Sequence, residues 1–167
     1  MMYYNTKIED LKIREAIIED TKLILNLIIE MAEYEKLAHE VVATEESLGK
    51  SIFIKKRANA LILELDEKPI GYVIYFFNYS TFNGASGLYL EDIYIKKEYR
   101  GNGIGKEVFN LLFKIALEED CKRIEWTCLN WNEPAKQFYK SLGASPMDEW
   151  TVHRLTENDI ISLVQKN

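Results

Sequence analysis

The chain is poor in the residues that staple small folds or hold metals: its 167 residues include two cysteines, two histidines and three prolines. Cys121 and Cys128 stand seven positions apart with no second pair, and His39 and His153 lie far from both in sequence. That spacing excludes a zinc motif, so no metal is expected. An excess of positive charge is missing as well. Lysine and arginine total 21 against 27 aspartates and glutamates, a net charge of −6, which weighs against nucleic acid as a partner and suits cationic ones. No run approaches the roughly 20 apolar residues of a membrane span. The longest, Ile70 to Phe77, reads as a buried strand, and no membrane partner is expected. The opening Met-Met-Tyr-Tyr-Asn-Thr-Lys lacks the basic flank, apolar stretch and cleavage site of a secretory leader. A cytoplasmic protein with both cysteines as thiols is therefore expected.

What is present is an ordinary globular mixture, 47% apolar and 29% charged. Its length suits a single domain, 1–167, and no repeat or linker divides it. Leu11 and Ile13 alternating with Lys12 and Arg14 predict a first strand. Glu19-Asp20-Thr21 then caps a helix to about Leu37, whose Leu23, Ile24, Leu27, Ile28 and Met31 form one apolar stripe. Thr44 starts a short helix ending near Phe53. Ala60 to Leu65 and Ile70 to Phe77 predict a hairpin turning at Asp66-Glu67-Lys68-Pro69, and Leu88 to Ile95 a third strand. Ile104, Val108, Leu111, Leu112 and Ile115 then mark a long buried helix. Arg123 to Leu129 returns to strand, Pro134 opens a helix that Gly143 closes, Trp150 to Leu155 predicts a last strand, and Thr156 caps a closing helix. The order implies an α+β fold.

The most informative stretch is Tyr99-Arg100-Gly101-Asn102-Gly103-Ile104-Gly105-Lys106, with glycines at alternate positions between a strand and a long helix. Converging N–H groups, a helix start and Lys106 make a site for a phosphate or pyrophosphate; a tight turn without a ligand is the plainer alternative. The spacing is not the dinucleotide G-x-G-x-x-G, since Lys106 stands at the sixth position, nor the G-x-x-x-x-G-K-[ST] loop. An adenine-nucleotide-binding domain is a further alternative for this loop, and it would show as tight binding of NAD or ATP.

Glu91 is a carboxylate set among Tyr89, Leu90, Ile93 and Ile95. In a desolvated site it could take the proton from an ammonium, whose pKa is about 10.4 in lysine; alternatively it pairs with a base or faces water. Tyr139, on the helix opened by Pro134, either packs or donates a proton.

Arg100, Gly103 and Gly105 match R-x-x-G-x-G, and four blocks stand in family order. They are Tyr-Leu-Glu-Asp from Tyr89, Tyr-Arg-Gly-Asn-Gly-Ile-Gly from Tyr99, Trp-Asn-Glu-Pro-Ala from Trp131, and Phe-Tyr-Lys-Ser-Leu-Gly-Ala from Phe138. On these the chain resembles the GNAT superfamily of acyl-CoA-dependent N-acetyltransferases, most of all the diamine (spermidine/spermine) N-acetyltransferases.

The resemblance implies a GNAT fold, a mixed, mostly antiparallel central sheet flanked by helices, with acetyl-CoA as co-substrate. It implies that Ile93, Tyr94 and Ile95 pair with the pantetheine arm and that Arg100, Gly101, Asn102, Gly103, Ile104, Gly105 and Lys106 hold the pyrophosphate. Asn132, Glu133, Pro134, Ala135 and Tyr139 would flank the coenzyme. It implies Glu91 as base, Tyr139 as acid, and acceptor contacts at Tyr34, Glu35, Glu91, Asp92, Glu125, Trp126 and Thr127. Asp148 and Glu149 lie where that family places a further acidic contact, with shortened spacing.

A homodimer is implied too, with Trp150 to Val164 as a source of interface. The loop from Asn78 to Gly84 lacks the aspartate that polyamine enzymes place beside their aromatic residue, though Phe82 keeps the aromatic. A polyamine or diamine is thus the first acceptor expected, with a thialysine-like amino acid, another small amine or a protein amino group as the alternative. A non-catalytic coenzyme-A sensor is the rival of another class, against which Glu91 and Tyr139 speak.

Overall fold

The computed structural model describes residues 2–166, and the chain divides after Thr127 into two units. The first carries β1 (Tyr3–Asn5), β2 (Leu11–Glu15), α1 (Thr21–Glu35), α2 (Glu45–Leu48), β3 (Asn59–Leu65), β4 (Lys68–Ser80), β5 (Ala85–Ile95), α3 (Ile104–Glu118) and β6 (Ile124–Trp126). The six strands form one sheet in chain order. Neighbours are antiparallel except β5 and β6, which run parallel across the α3 crossover. The sheet is the mixed, mostly antiparallel one expected.

α1 covers one face of the sheet. Its Ile24 and Leu27 pack with Ile62, Tyr72, Ile74 and Tyr94, the residues that alternation places on that side of β3, β4 and β5. α3 covers the other face, where Phe109 meets the Trp126 ring edge-on at 5.2 Å. α1 stops at Glu35 because Lys36 turns left-handed, φ +62°, while the Leu37 N–H bonds the Ala32 carbonyl at 2.7 Å. Arg14 ties the start of α1 to the sheet through Asp20, at 2.6 Å, and Glu64, at 2.8 Å. Thr44 caps α2 reciprocally with Ser47, and a π-helical turn, Gly49–Ile54, extends it to the predicted end.

The β3–β4 turn is tighter than expected. Asp66 and Glu67 alone make it, both with positive φ, the two-residue geometry whose twist matches the flanking strands, while Lys68 and Pro69 already belong to β4. β1 is an addition, a short edge strand paired with β2.

The second unit begins at Cys128 and carries α4 (Glu133–Ser141) and α5 (Glu157–Gln165). Asn132 caps α4 by accepting from the Ala135 N–H at 3.3 Å, Pro134 sits in its first turn, and Gly143 follows its end with φ +85°. Thr156 and Asp159 form a capping box on α5. The strand predicted over Trp150 to Leu155 does not form: those residues join no ladder, and Trp150 and Val152 are 72% and 77% exposed. An alternating segment becomes a strand only where another strand satisfies its main chain. Cys128 likewise lies beyond β6, which ends at Trp126.

Candidate active site

β5 changes its surroundings halfway along. Its ladder with β6 ends where Leu90 faces Trp126, and 91–95 continue with no strand on that side among the described residues. At the same point its pairing with β4 slips: Asp92 faces Ile74 but Leu90 faces Tyr75, so Glu91 is the extra residue of a β-bulge. A parallel pair that parts leaves main-chain N–H and C=O groups on one edge. An extended ligand such as a pantetheine arm can pair with them, and one N–H can meet a developing oxyanion. Ile93, Tyr94 and Ile95 occupy this edge.

The bulge decides where the carboxylates go. Glu91 is exposed, not the desolvated carboxylate expected among apolar neighbours, because as the bulged residue it escapes the alternation that buries Leu90. Its neighbour Asp92 is half-buried: desolvation pushes its carboxyl up to about 6, against the pull of a hydrogen bond from Tyr72, with Glu91 and Glu35 adding to the rise. Glu35, at the end of α1, is also raised by burial. Asp92 Oδ2 accepts from the Tyr72 hydroxyl at 3.1 Å, and that hydroxyl also lies 3.4 Å from Met31 Sδ. Tyr72 is the functional candidate missed from sequence. The one available signal was a phenol inside an apolar run, which needs a partner once buried.

The glycine loop has the predicted form. Gly101 and Gly103 hold φ +83° and +80°, which a side chain adopts only under strain, and a Cβ at Gly101 would meet nothing within 4 Å. Those glycines are therefore required by backbone conformation, with open space outside. α3 begins at Ile104, so the loop meets the positive end of the helix, where the Ile104 and Gly105 N–H groups precede the first intrahelical bonds and Lys106 is exposed; the Lys106 N–H already donates to the Gly103 carbonyl at 3.0 Å. The donor set fits a pyrophosphate. Arg100 turns the other way. Its Nε donates to the Ile95 carbonyl at 2.7 Å and its guanidinium stacks 4.2 Å from the Tyr34 ring centre, joining the loop to the end of α1.

The remaining acceptor candidates of this unit lie on or just after β6. The Glu125 carboxylate lies 2.9 Å from Arg123 Nε and accepts from Asn78 Nδ2 at 2.9 Å. The Trp126 ring lies against Phe109, and Thr127 follows the strand. In the second unit Asn132, Glu133, Pro134 and Ala135 form the cap and first turn of α4. Tyr139 stands partly buried on that helix, its ring 5.7 Å from Phe138. No group of three or more His, Cys, Asp or Glu among the described residues could hold a metal ion, and no helix there is long and apolar enough to cross a membrane.

A β5 edge left open where the β6 ladder ends, a bulge and a glycine loop at the start of the crossover helix together could hold an extended acyl thioester and a pyrophosphate. The model of the acetyltransferase (GNAT) family matches residues 23–144, and the chain belongs to that family. It is 40% identical over 150 residues to a thialysine N-epsilon-acetyltransferase of Bos taurus, covering 82% of this chain and 85% of that one. To an L-ornithine N5-acetyltransferase of Arabidopsis thaliana it is 28% identical, over 93% of this chain and 88% of that one. Among solved structures, an integron cassette protein from V. cholerae superposes with a TM-score of 0.78 at 23% identity, over 95% of this chain and 99% of that one. The fold is the GNAT fold, and the protein is an acetyl-CoA-dependent N-acetyltransferase acting on amines.

Proposed function

We propose that the chain acetylates the terminal primary amine of a short, multiply charged acceptor, an amino acid of the thialysine or ornithine kind before a polyamine or diamine. The observation that carries this reading is the half-buried Asp92 beside the bulge, near Glu35 and Glu91, at the point where β6 leaves β5. The names of the relatives favour the amino acids, and the missing loop aspartate weakens the polyamine alternative.

In this mechanism Asp92 and Glu35 draw in the ammonium, and Glu91 takes its proton directly or through water. The amine nitrogen then forms its bond to the acetyl carbon as the carbon–sulfur bond breaks. A backbone N–H near Ile93 stabilises the charge on the carbonyl oxygen, Tyr139 gives its proton to the departing sulfur, and the second proton lost by the nitrogen restores the phenol through water. Acetyl-CoA supplies the activated acetyl group. Ile93, Tyr94 and Ile95 would hold its pantetheine arm, Arg100 to Lys106 its pyrophosphate by backbone and Lys106 charge, and Asn132 to Ala135 its flank. Tyr34, Glu125, Trp126 and Thr127 complete the acceptor contacts.

One observation favours a variant of this reading: Asp92 is the carboxylate whose pKa lies near the working range, so Asp92 in place of Glu91 would be the base. The family match runs across Thr127, which supports the two units working as one domain. A cytoplasmic homodimer using the exposed apolar side chains of Trp150 to Val164 completes the proposal.

The test is acetyl-CoA-dependent thiol release across thialysine, ornithine, lysine, putrescine, spermidine, spermine and a peptide amine. A preference for the amino acids supports the reading and one for spermine reverses its order. Silence across the panel with coenzyme A still bound replaces it by a sensor.

A further inference from the structure

Tyr72 occupies a position where a phenol is hard to justify by packing. It lies at the centre of β4, 0% exposed, in the cluster that α1 covers, where Ile62, Ile74, Ile24 and Leu27 are all aliphatic. Its ring is tilted 46° to Tyr94 at 6.4 Å. A buried hydroxyl without a strong partner is destabilising, so its single proton must go somewhere useful. Two acceptors lie within reach, Met31 Sδ at 3.4 Å and Asp92 Oδ2 at 3.1 Å, and a carboxylate is far the stronger. Burial and the neighbouring Asp92 charge push the phenol well above its ordinary range, so it stays a donor at every pH of interest. Oδ1 of Asp92 has no hydrogen-bond partner among the described residues.

We propose that Tyr72 is a positioning residue of the acceptor site: from inside the core its hydroxyl holds Oδ2 of Asp92, leaving Oδ1 directed to an incoming ammonium and Asp92 ionised at neutral pH. The inference rests on the reading of Asp92 as an acceptor contact. The other groups around Asp92 all oppose its ionisation or are already engaged. Glu91 precedes it on β5, and Glu35 at the end of α1 repels it. Glu30 of α1 is taken by Lys96 at 3.4 Å and by the Tyr94 hydroxyl at 3.5 Å, and Arg100 by Ile95 and Tyr34. Tyr72 is thus the group that favours the charged form, and without it three carboxylates would share one corner with no donor between them. Discrimination follows: a neutral amine gains nothing from an ionised Asp92, while a cationic acceptor gains most when Asp92 is both charged and fixed in direction.

The test is Tyr72→Phe in the full chain, which removes the hydroxyl and keeps the ring. Loss of a hydrogen bond to a charged group should raise the KM for the preferred amine about fivefold or more, with the acetyl-CoA KM unchanged within about twofold. The acidic limb of kcat/KM for the amine should move up by about half a pH unit or more, because the carboxylate loses the donor that held its pKa down. In Asp92→Asn the added Tyr72→Phe change should make no further difference. Full additivity would mean a packing role and overturn the proposal.

A readout independent of turnover is the Asp92 titration followed by carbon-13 NMR in both proteins. A midpoint that rises in Tyr72→Phe supports the device, and one that stays put refutes it. Normal amine KM in Asp92→Asn would remove the acceptor-contact reading beneath it. Tyr72→Phe kinetics matching the wild type, beside a defective Asp92→Asn, would overturn the inference about Tyr72 alone.

Discussion

Replacing Arg14 by leucine should unfold a large part of the protein's stability margin, through charge left without a partner. The guanidinium makes three close contacts: to Asp20 Oδ2 at 2.6 Å, Asp20 Oδ1 at 2.9 Å and Glu64 Oε1 at 2.8 Å. The three side chains are 8%, 12% and 18% exposed, so water screens them little. Arg14→Leu leaves two carboxylates close together in the same place, and breaking a buried pair in this way costs about 3–5 kcal/mol. Total stabilities are about 5–15 kcal/mol, so about a fifth or more of the margin is at stake. With a urea slope of about 2 kcal/mol per M, the unfolding midpoint at pH 7 should fall by about 1.5–2.5 M, read by tryptophan fluorescence and far-ultraviolet circular dichroism. The pH dependence supplies the sharper check. In the native protein burial raises the Asp20 carboxyl, but the Arg14 and Ile17 hydrogen bonds win and hold it below its ordinary value. That stabilisation is complete above the unfolded pKa of about 3.9 and is lost as pH falls through the lower folded value. In Arg14→Leu only the burial penalty and the Ile17 bond remain, so acidification relieves strain instead of adding it. The gap between the two proteins should therefore close as pH drops from 7 towards 4. A midpoint change below about 0.5 M at pH 7, or a gap that widens on acidification, would refute the argument.

Other outcomes follow from the site. Tyr139→Phe should lower kcat by about 10-fold or more with acetyl-CoA affinity retained, and Glu91→Gln should require higher pH for activity; unchanged rates in both, measured by thiol release, would remove their proposed roles. Gly103→Ala forces a side chain to φ +80° at the start of α3, so coenzyme A binding by calorimetry should weaken while the melting temperature drops by an amount consistent with about 1 kcal/mol. Gly71→Ala should be far worse for folding, since its Cβ would lie 2.2 Å from the Tyr94 carbonyl oxygen, and soluble expression at wild-type level would contradict that geometry.

The parts of the fold visible in sequence are those set by local chemistry. The stripe of α1, the caps at Thr44 and Thr156, Pro134 in the first turn of α4, and the glycines of the loop each state their structure within a few residues. The parts that were not visible depend on partners distant in sequence. Trp150 to Leu155 alternates like a strand, yet nothing in the segment says whether another strand will lie beside it. Asp66-Glu67 makes a turn that usually needs glycine or asparagine, because strand pairing on either side outweighs the strain. The role of Glu91 was read from its neighbours, and the bulge that exposes it has no signature in Tyr-Leu-Glu-Asp-Ile-Tyr-Ile; the register that creates it belongs to β4. For the same reason Asp92 was legible as a carboxylate and Tyr72 as core, while their contact was not.

The bulge connects these observations. Had β5 alternated without interruption, Asp92 would share the face of Leu88 and Leu90, the side on which Trp126 meets Phe109 of α3. It would then lie far from Glu35 and Tyr72 and be buried without a donor. One extra residue reverses the alternation, so that Asp92 and Tyr94 fall on the face that α1 covers, beside Tyr72, while Ile93 and Ile95 return to the other. The same irregularity comes where the β6 ladder ends, and both ladders change beside Leu90. A single local departure from regular pairing thus puts an unpaired backbone edge and a phenol-held carboxylate next to each other. On the proposed reading the acceptor and the coenzyme are recognised by adjoining residues of one strand, so any change that straightens β5 should impair both at once.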